Sequence, residues 1–439
     1  YRQSERKELY LTFAKILVSE GKAFPCFCDA AENKEEIFER RENLLEENSE
    51  LEEKDICRNL TFEEIEKNIL AKKPFALRLK SSGKSGDRIK FVDEVRGERE
   101  TDANAKDVVL IKSNGIPPYC FAHAIDDHFM RTTVVVRGEE WLSTLPQHLE
   151  IFDALGFDRV RYIHTPLICK ISDNGNKRKI SKRLDPEADM RFYLKEGFTT
   201  ESVLEYLLNL ANSNFEIWRK ENPTEPNSKF KFSIEKIGTS SPMFDIVKLC
   251  DISKNLISTL SAEEVFEKVL AWADEFDLPF AKELKERKDY SIKVFSIDRY
   301  NAKPRKDIAK WSDVQLFLGF MFKCYNKLNC LYDFEIDGFR EDIVMQFLKA
   351  YLEVFDLDDE KDVWFDKIKS LAGQLGFAVD NKEYKQNPAA FNGNVADACT
   401  FVRLALTGRR NSPDIYAIMK VLGKEEIAKR INNLIDLLK

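Results

Sequence analysis

The sequence predicts an α/β amino-terminal region followed by an all-helical carboxy-terminal half. Three observations carry this prediction. Thr132-Thr133-Val134-Val135-Val136 is β-branched throughout and reads as a buried, parallel strand. Leu142, Leu145, Leu149 and Phe152 then recur at helical spacing up to Gly156, and Arg161-Tyr162-Ile163-His164 reads as a second strand, which completes a βαβ unit. From about residue 190 onward the apolar residues recur only at helical spacing.

Each element follows from its local pattern. Leu9, Leu11, Phe13, Ile16 and Leu17 mark a helix between Ser4 and Ala23, ending near Gly21. Residues 34–55 are dominated by Glu, Lys and Arg and read as an exposed helical or poorly ordered insertion. Phe75-Ala76-Leu77-Arg78-Leu79 and Ile89-Lys90-Phe91-Val92 alternate as short strands do, and Asp107 to Ile111 is a short apolar run. Glu201 to Leu210 and Ser261 to Phe276 are amphipathic. Ala398, Phe401, Val402 and Ala405 form a stripe ended at Gly408. Ser412-Pro413-Asp414 then reads as an N-cap, a proline at the first helical position and an acid at the positive helix end. Ile415, Ile418, Met419 and Leu422 follow on one face, and Ile427, Ile431, Leu434, Ile435 and Leu438 on another.

Bulk properties narrow the class. A chain of 439 residues with 43% hydrophobic content can bury two to four domains. Its net charge of -7 excludes a simple polybasic nucleic-acid binder, although an acidic protein still holds RNA if its basic residues share one face. Nine scattered cysteines, an odd number, suit a reduced cytoplasmic compartment rather than a disulfide framework. No apolar run approaches the length of a membrane span, and no signal-peptide pattern is present.

Ligands of open α/β sheets bind beyond the carboxyl ends of the strands. Arg137-Gly138-Glu139-Glu140-Trp141 sits at one such end, and His164-Thr165-Pro166-Leu167-Ile168 at another. Tyr119 and His123 come from the segment that precedes Asp126-Asp127-His128. One guanidinium, one indole and one phenol suit a small anion on Arg137 and a purine near Trp141. Singly, each has a plainer role: Arg137 paired with Glu139 or Glu140, Trp141 in a core, Asp126 and Asp127 in a turn. Residues 177–183 read Lys-Arg-Lys-Ile-Ser-Lys-Arg, after the turn chemistry of Ser172 to Asn176. Five of these seven side chains are cationic. By itself the heptad is either a solvated mobile loop or a grip for a polyanion such as ATP.

Together these segments resemble a family. IPPYCFAHAIDDHFM, VVVRGEEWLSTLPQHLEIFDALGF, YIHTPLI, KISKR and FYLKEGF, with FPCFC before them and FVRLALTGRRNSPDIYAIMKVLGKEEIAKRI at the end, look like bacterial-type glutamyl-tRNA synthetases, which are class I aminoacyl-tRNA synthetases. Lys179-Ile180-Ser181-Lys182-Arg183 is similar to the second signature motif of that class, usually written KMSKS.

The resemblance implies a Rossmann-type catalytic domain in residues 1–21 and 113–190, lacking its amino-terminal half. It further implies an α+β acceptor-end-binding insertion at 22–112, an all-α stem-contact domain at 191–300 and a helical anticodon-binding domain at 301–439. It implies a monomeric cytoplasmic enzyme that uses ATP and Mg2+ to join glutamate to tRNA(Glu). Lys182 and Lys179 would be catalytic. Trp141, the backbone at Leu167 and Ile168, Ser181 and Arg183 would complete the ATP site, and Tyr119, His123 and Arg137 would hold glutamate.

Two departures qualify this expectation. None of the four histidines opens the His-x-Gly-His motif with which the class binds ATP. By the resemblance, that motif belongs to a segment ahead of Tyr1, so this chain by itself would bind tRNA without activating glutamate. A non-discriminating enzyme that also charges tRNA(Gln) is a second alternative. Zinc is not expected: some relatives hold it with Cys-x-Cys and a later Cys-x-His, whereas here Cys26, Cys28 and Cys57 are followed by Asn59 at the fourth position.

Overall fold

The computed structural model describes residues 1–28 and 55–439. The charged segment expected at 34–55 lies outside them but for Asp55. Two compact units divide the chain: Tyr1–Ile180 with Asn209–Phe244, and Ser181–Leu208 with Asp245–Lys439.

In the first unit, the helix Lys7–Ser19 buries Tyr10, Ala14 and Leu17, spaced by four and three residues as one helical face requires. It packs on a three-stranded antiparallel sheet in which β2 (Ala76–Leu79) lies between β1 (Ala23–Cys26) and β5 (Val109–Ile111). The helices Tyr119–Phe129 and Leu145–Leu155 close this core with Phe121, Ile125, Ile151 and Phe152.

The second sheet carries the site. Its order is β4 (Gly97–Asp102), β3 (Arg88–Asp93), β7 (Arg161–Thr165), β6 (Val134–Gly138). β6 and β7 run parallel, joined by the helix Leu145–Leu155, so the predicted βαβ unit forms. β3 also runs parallel to β7 and pairs antiparallel with β4. The hairpin β3–β4, which the resemblance puts in the insertion, thus extends the sheet of the βαβ unit. β6 is an edge strand, and Val136 is 63% exposed, so the strand is parallel as predicted but not buried throughout.

The basic heptad is only partly a loop. Lys177–Lys179 forms β9, paired antiparallel with β8 (Cys169–Ile171). The turn between them uses Gly175 at φ 80°, a conformation that costs a residue with a Cβ.

The second unit is helical in its regular structure, as predicted. One continuous core takes Phe266 and Val269 from Ala262–Phe276, Phe347 from Glu341–Val354, Phe401 from Val395–Thr407 and Ile431 from Lys424–Leu437. Ser261 and Glu264 cap the first of these reciprocally, as Asn394 and Asp397 cap the third. Asp414, not Ser412, is the N-cap of Ile415–Leu422: its carboxylate accepts from Ala417 N at 2.9 Å, while Ser412 Oγ takes Arg403 Nε.

Candidate functional site

Parallel register sets Arg137 of β6 opposite His164 of β7. The Arg137 Nε–H donates to His164 Nε2 at 3.0 Å. Both Nη groups of Arg137 are buried and have no hydrogen-bond partner among the described residues. Its guanidinium carbon lies 4.9 Å from the Tyr162 ring centre and 5.6 Å from that of Trp141, so two aromatic faces flank the charge. The plainer role for Arg137 is excluded by its neighbours' partners. Glu139 pairs with Arg96 at 2.6 Å, and Glu140 pairs with Lys179 at 2.6 Å. A buried fork of donors facing no acceptor is what a carboxylate satisfies.

The other predicted glutamate residues gather here. Tyr119 and His123 sit four apart on the helix Tyr119–Phe129, so they share a face and their rings stack at 5.3 Å. Tyr119 also meets Trp141, with centres 4.8 Å apart. His123 Nε2 lies 3.2 Å from the Tyr162 hydroxyl, and its Nδ1 contacts the Asp127 carboxylate. Trp141 is half-buried rather than part of a core. Asp126 and Asp127 are helical, not turn residues; Asp126 accepts from Arg6 Nε at 2.8 Å and Tyr10 OH at 2.7 Å.

Three residues of this cluster escaped the sequence pattern. Tyr162 forms the floor under Arg137. His148, one turn into the next helix, is buried against His123 with ring centres 5.1 Å apart. Burial first, then the charge of Arg137, pushes the His148 pKa down to about 3, which keeps it neutral. Asp93, at the end of β3, is fully buried and binds His164. The signal for Asp93 was an acid ending an alternating strand; what it faces depends on a pairing no local pattern encodes.

The predicted ATP residues are distributed as follows. Leu167 N–H donates to Glu139 Oε1 at 3.3 Å, and Ile168 O accepts from Ile180 N at 3.0 Å. Lys179 and Ile180 end the first segment of the first unit, and Ser181, Lys182 and Arg183 open a segment of the second. Buried Asp185 fixes the latter turn: its carboxylate accepts from Ser181 N at 2.8 Å, and its own N–H donates to Ser181 O at 2.8 Å. Lys182 and Arg183 are left exposed on that turn.

A separate cluster joins β1 to the short turn Ile56–Asn59. The Sγ atoms of Cys26, Cys28 and Cys57 and a carboxylate oxygen of Asp55 all lie within 4.8 Å of one another. Cys28 and Cys57 Sγ are 3.4 Å apart, and Cys26 Sγ is 3.1 Å from Asp55 Oδ2. Tetrahedral zinc at about 2.3 Å from each sulfur sets its ligands about 3.8 Å apart, so this donor set fits the ion. From the sequence the fourth position falls on Asn59; the structure instead brings in Asp55, which precedes Cys57. All nine cysteines are free of disulfides.

Comparison with known proteins agrees with this architecture. Residues 1–249 match the family described as tRNA synthetases class I (E and Q), catalytic domain, and residues 382–435 match an anticodon binding domain. The chain is 42% identical to a glutamate–tRNA ligase of Acetivibrio thermocellus, covering 99% of this chain and 79% of that protein. It is 41% identical to one of Clostridium beijerinckii, covering 100% and 79%. A glutamate tRNA ligase structure from Elizabethkingia meningosepticum, in complex with its amino acid, superimposes with a TM-score of 0.68 at 23% identity, covering all of this chain and 84% of that one. That last likeness concerns the fold. Among the described residues no helix is long and apolar enough to cross a membrane. On the family match and the identity to curated relatives, the chain belongs to the glutamate–tRNA ligases of the class I tRNA synthetase family.

Proposed function

We propose that the protein activates glutamate with ATP and transfers it to the 3′ end of tRNA(Glu). In the first step a glutamate carboxylate oxygen attacks the α-phosphorus of ATP, the bond to the β-phosphate breaks, and pyrophosphate leaves glutamyl-adenylate behind. In the second a terminal ribose hydroxyl of the tRNA attacks the acyl carbon, and AMP leaves. The observation that carries this reading is the pair of buried, unpartnered Nη groups of Arg137 between two aromatic rings. They would donate to a glutamate carboxylate as a bidentate pair. Tyr119 and His123, whose rings stack beside Trp141, would hold the same substrate. Trp141 and the backbone at Leu167–Ile168 take adenosine.

ATP enters as its magnesium complex. Lys182, Lys179 and Arg183, with Ser181, meet its phosphates, where negative charge builds as pyrophosphate leaves. In the first unit Lys179 is held by an exposed ion pair with Glu140, a contact worth less than about 1 kcal/mol and readily exchanged for phosphate. The four-part division at 21, 112, 190 and 300 is retained as a proposal, the match of 382–435 to an anticodon binding domain supporting its last part. Cys26, Cys28, Asp55 and Cys57 would hold zinc, which supplies a structural cross-link and no chemistry.

The test is pyrophosphate exchange into ATP by the intact protein, with each of the twenty amino acids, followed by charging of purified tRNA(Glu). Exchange dependent on glutamate is expected. Exchange with another amino acid, or none with any, refutes the proposal.

A further inference from the structure

We infer that Asp93 and His164 are positioning residues for Arg137: Asp93 fixes the tautomer of His164, and His164 then holds the guanidinium with both Nη groups turned to the substrate carboxylate. This rests on the assignment of Arg137 to the glutamate pocket.

The hydrogen bonds run in one direction through three strands. Asp93 Oδ2 accepts from His164 Nδ1 at 2.7 Å and from His164 N at 3.1 Å. Its Oδ1 accepts from Val95 N at 3.0 Å and Arg96 N at 2.9 Å. Four donors surround a carboxylate that is 0% exposed, so it acts only as an acceptor and His164 Nδ1 must carry the proton. The lone pair of the neutral ring is then on Nε2, which faces Arg137 Nε at 3.0 Å. An arginine nitrogen can only donate, so the opposite tautomer would set two N–H groups against each other. His164 is itself 0% exposed and stacks on Tyr162 at 5.7 Å, which restrains the ring. Pinning Nε removes the last rotation of the guanidinium and aims the fork of Nη1 and Nη2 away from His164. Strand geometry makes this possible: Arg137 is the register partner of His164, and β3 pairs with β7 at Asp93 and Tyr162.

Asp93→Asn tests the tautomer. The asparagine amide can accept on one side only, so its NH2 faces either His164 or the turn at Val95 and Arg96. Facing His164, it moves the proton to Nε2 and breaks the bond to Arg137. We expect the KM for glutamate to rise on the order of 10- to 100-fold, the scale of one hydrogen bond to a charged group. The KM for ATP should stay within about twofold, since no charge near the phosphates changes. The 15N spectrum of the imidazoles, of which the chain has four, should show the unprotonated nitrogen of His164 moving from Nε2 to Nδ1.

His164→Gln and His164→Leu separate positioning from packing. Both remove the ring, but only glutamine retains an acceptor for Arg137, so it should recover most of the glutamate affinity that leucine loses. This pair also stands in for Asp93→Asn should that variant fail to fold. An unchanged glutamate KM in Asp93→Asn and His164→Leu, equal losses for glutamate and ATP, or a raised glutamate KM without a tautomer change each overturns the inference. Arg137→Ala distinguishes the two levels. If it leaves glutamate binding intact, the pocket assignment fails. If it weakens glutamate but the Asp93 and His164 variants do not, only the positioning role falls.

Discussion

Replacing Arg137 probes the pocket most directly. In Arg137→Ala the substrate carboxylate would lose both Nη donors, which are buried and otherwise unpartnered. Hydrogen bonds to charged groups contribute about 1.5–3 kcal/mol each, so the pair amounts to about 3–6 kcal/mol, or on the order of 10² to 10⁴ in kcat/KM for glutamate. Solvent does little to soften the loss, because Tyr162 and Trp141 wall the guanidinium on two sides. Lysine keeps a charge but offers a point donor instead of a planar fork, so Arg137→Lys should recover only part of the loss. The assay is pyrophosphate exchange by the intact protein, with glutamate varied at saturating ATP and then the reverse. Glutamate dependence should collapse, with the KM for ATP within about threefold of its starting value. A parallel rise of both KM values would remove Arg137 from the amino-acid pocket. So would an unchanged glutamate KM.

Three further outcomes are expected. Lys182→Ala should slow adenylate formation by about 10² to 10³, the scale of one transition-state donor, and an unchanged exchange rate would release the turn from that role. His148 binds a proton in the unfolded chain near pH 6.5 but in the native state only near 3, so its contribution to stability is complete above 6.5 and is lost as pH falls toward 3. From pH 7 to 5 that loss is about 2 kcal/mol. Hydrogen exchange across Leu145–Leu155 should show it, and His148→Gln should flatten the dependence; identical slopes in the two proteins would contradict the burial account. Finally, metal analysis of the purified protein should find one zinc, and cobalt substitution should give visible thiolate bands that shift in Asp55→Ala. A protein without metal after purification in zinc would refute that site.

Elements governed by local chemistry were legible in the sequence, and elements governed by long-range pairing were not. The βαβ unit followed from β-branched residues, a helical stripe and Gly156, all of them local signals. So did the helical second unit, whose stripes at Ala398–Ala405 and Ile427–Ile435 are buried as their spacing requires. β6 is less buried than its sequence predicts because a β-branched run says that a strand fits a sheet, not which place it takes there. Val136 is exposed on an edge. The basic heptad reads as a loop because charge masks strand propensity; a tight turn at Gly175 is enough to fold its first three residues back on Cys169–Ile171. The cap moved from Ser412 to Asp414 because both have acceptor side chains, and only geometry selects between them.

The site divides in the same way. Arg137 was legible as a candidate because it stands where a strand ends before a helix, where ligands of open α/β sheets bind. Its supports were not, because Asp93 and His164 are 71 residues apart and meet only through the β3–β7 pairing. Two acids follow Arg137 almost at once in the chain, and by sequence either could neutralise it. Arg96, from the turn after β3, takes Glu139, and Lys179, from β9, takes Glu140. A buried guanidinium without a counter-charge is costly, and neutral imidazoles and ring faces offset only part of that cost. Among the described residues, none pairs with the charge of Arg137. In the role proposed for Arg137, a substrate carboxylate would gain from meeting this charge, whereas an uncharged amide of the same size would leave it uncompensated. On this account, discrimination against neutral side chains arises from the partners that draw Glu139 and Glu140 away from Arg137 as much as from Arg137 itself.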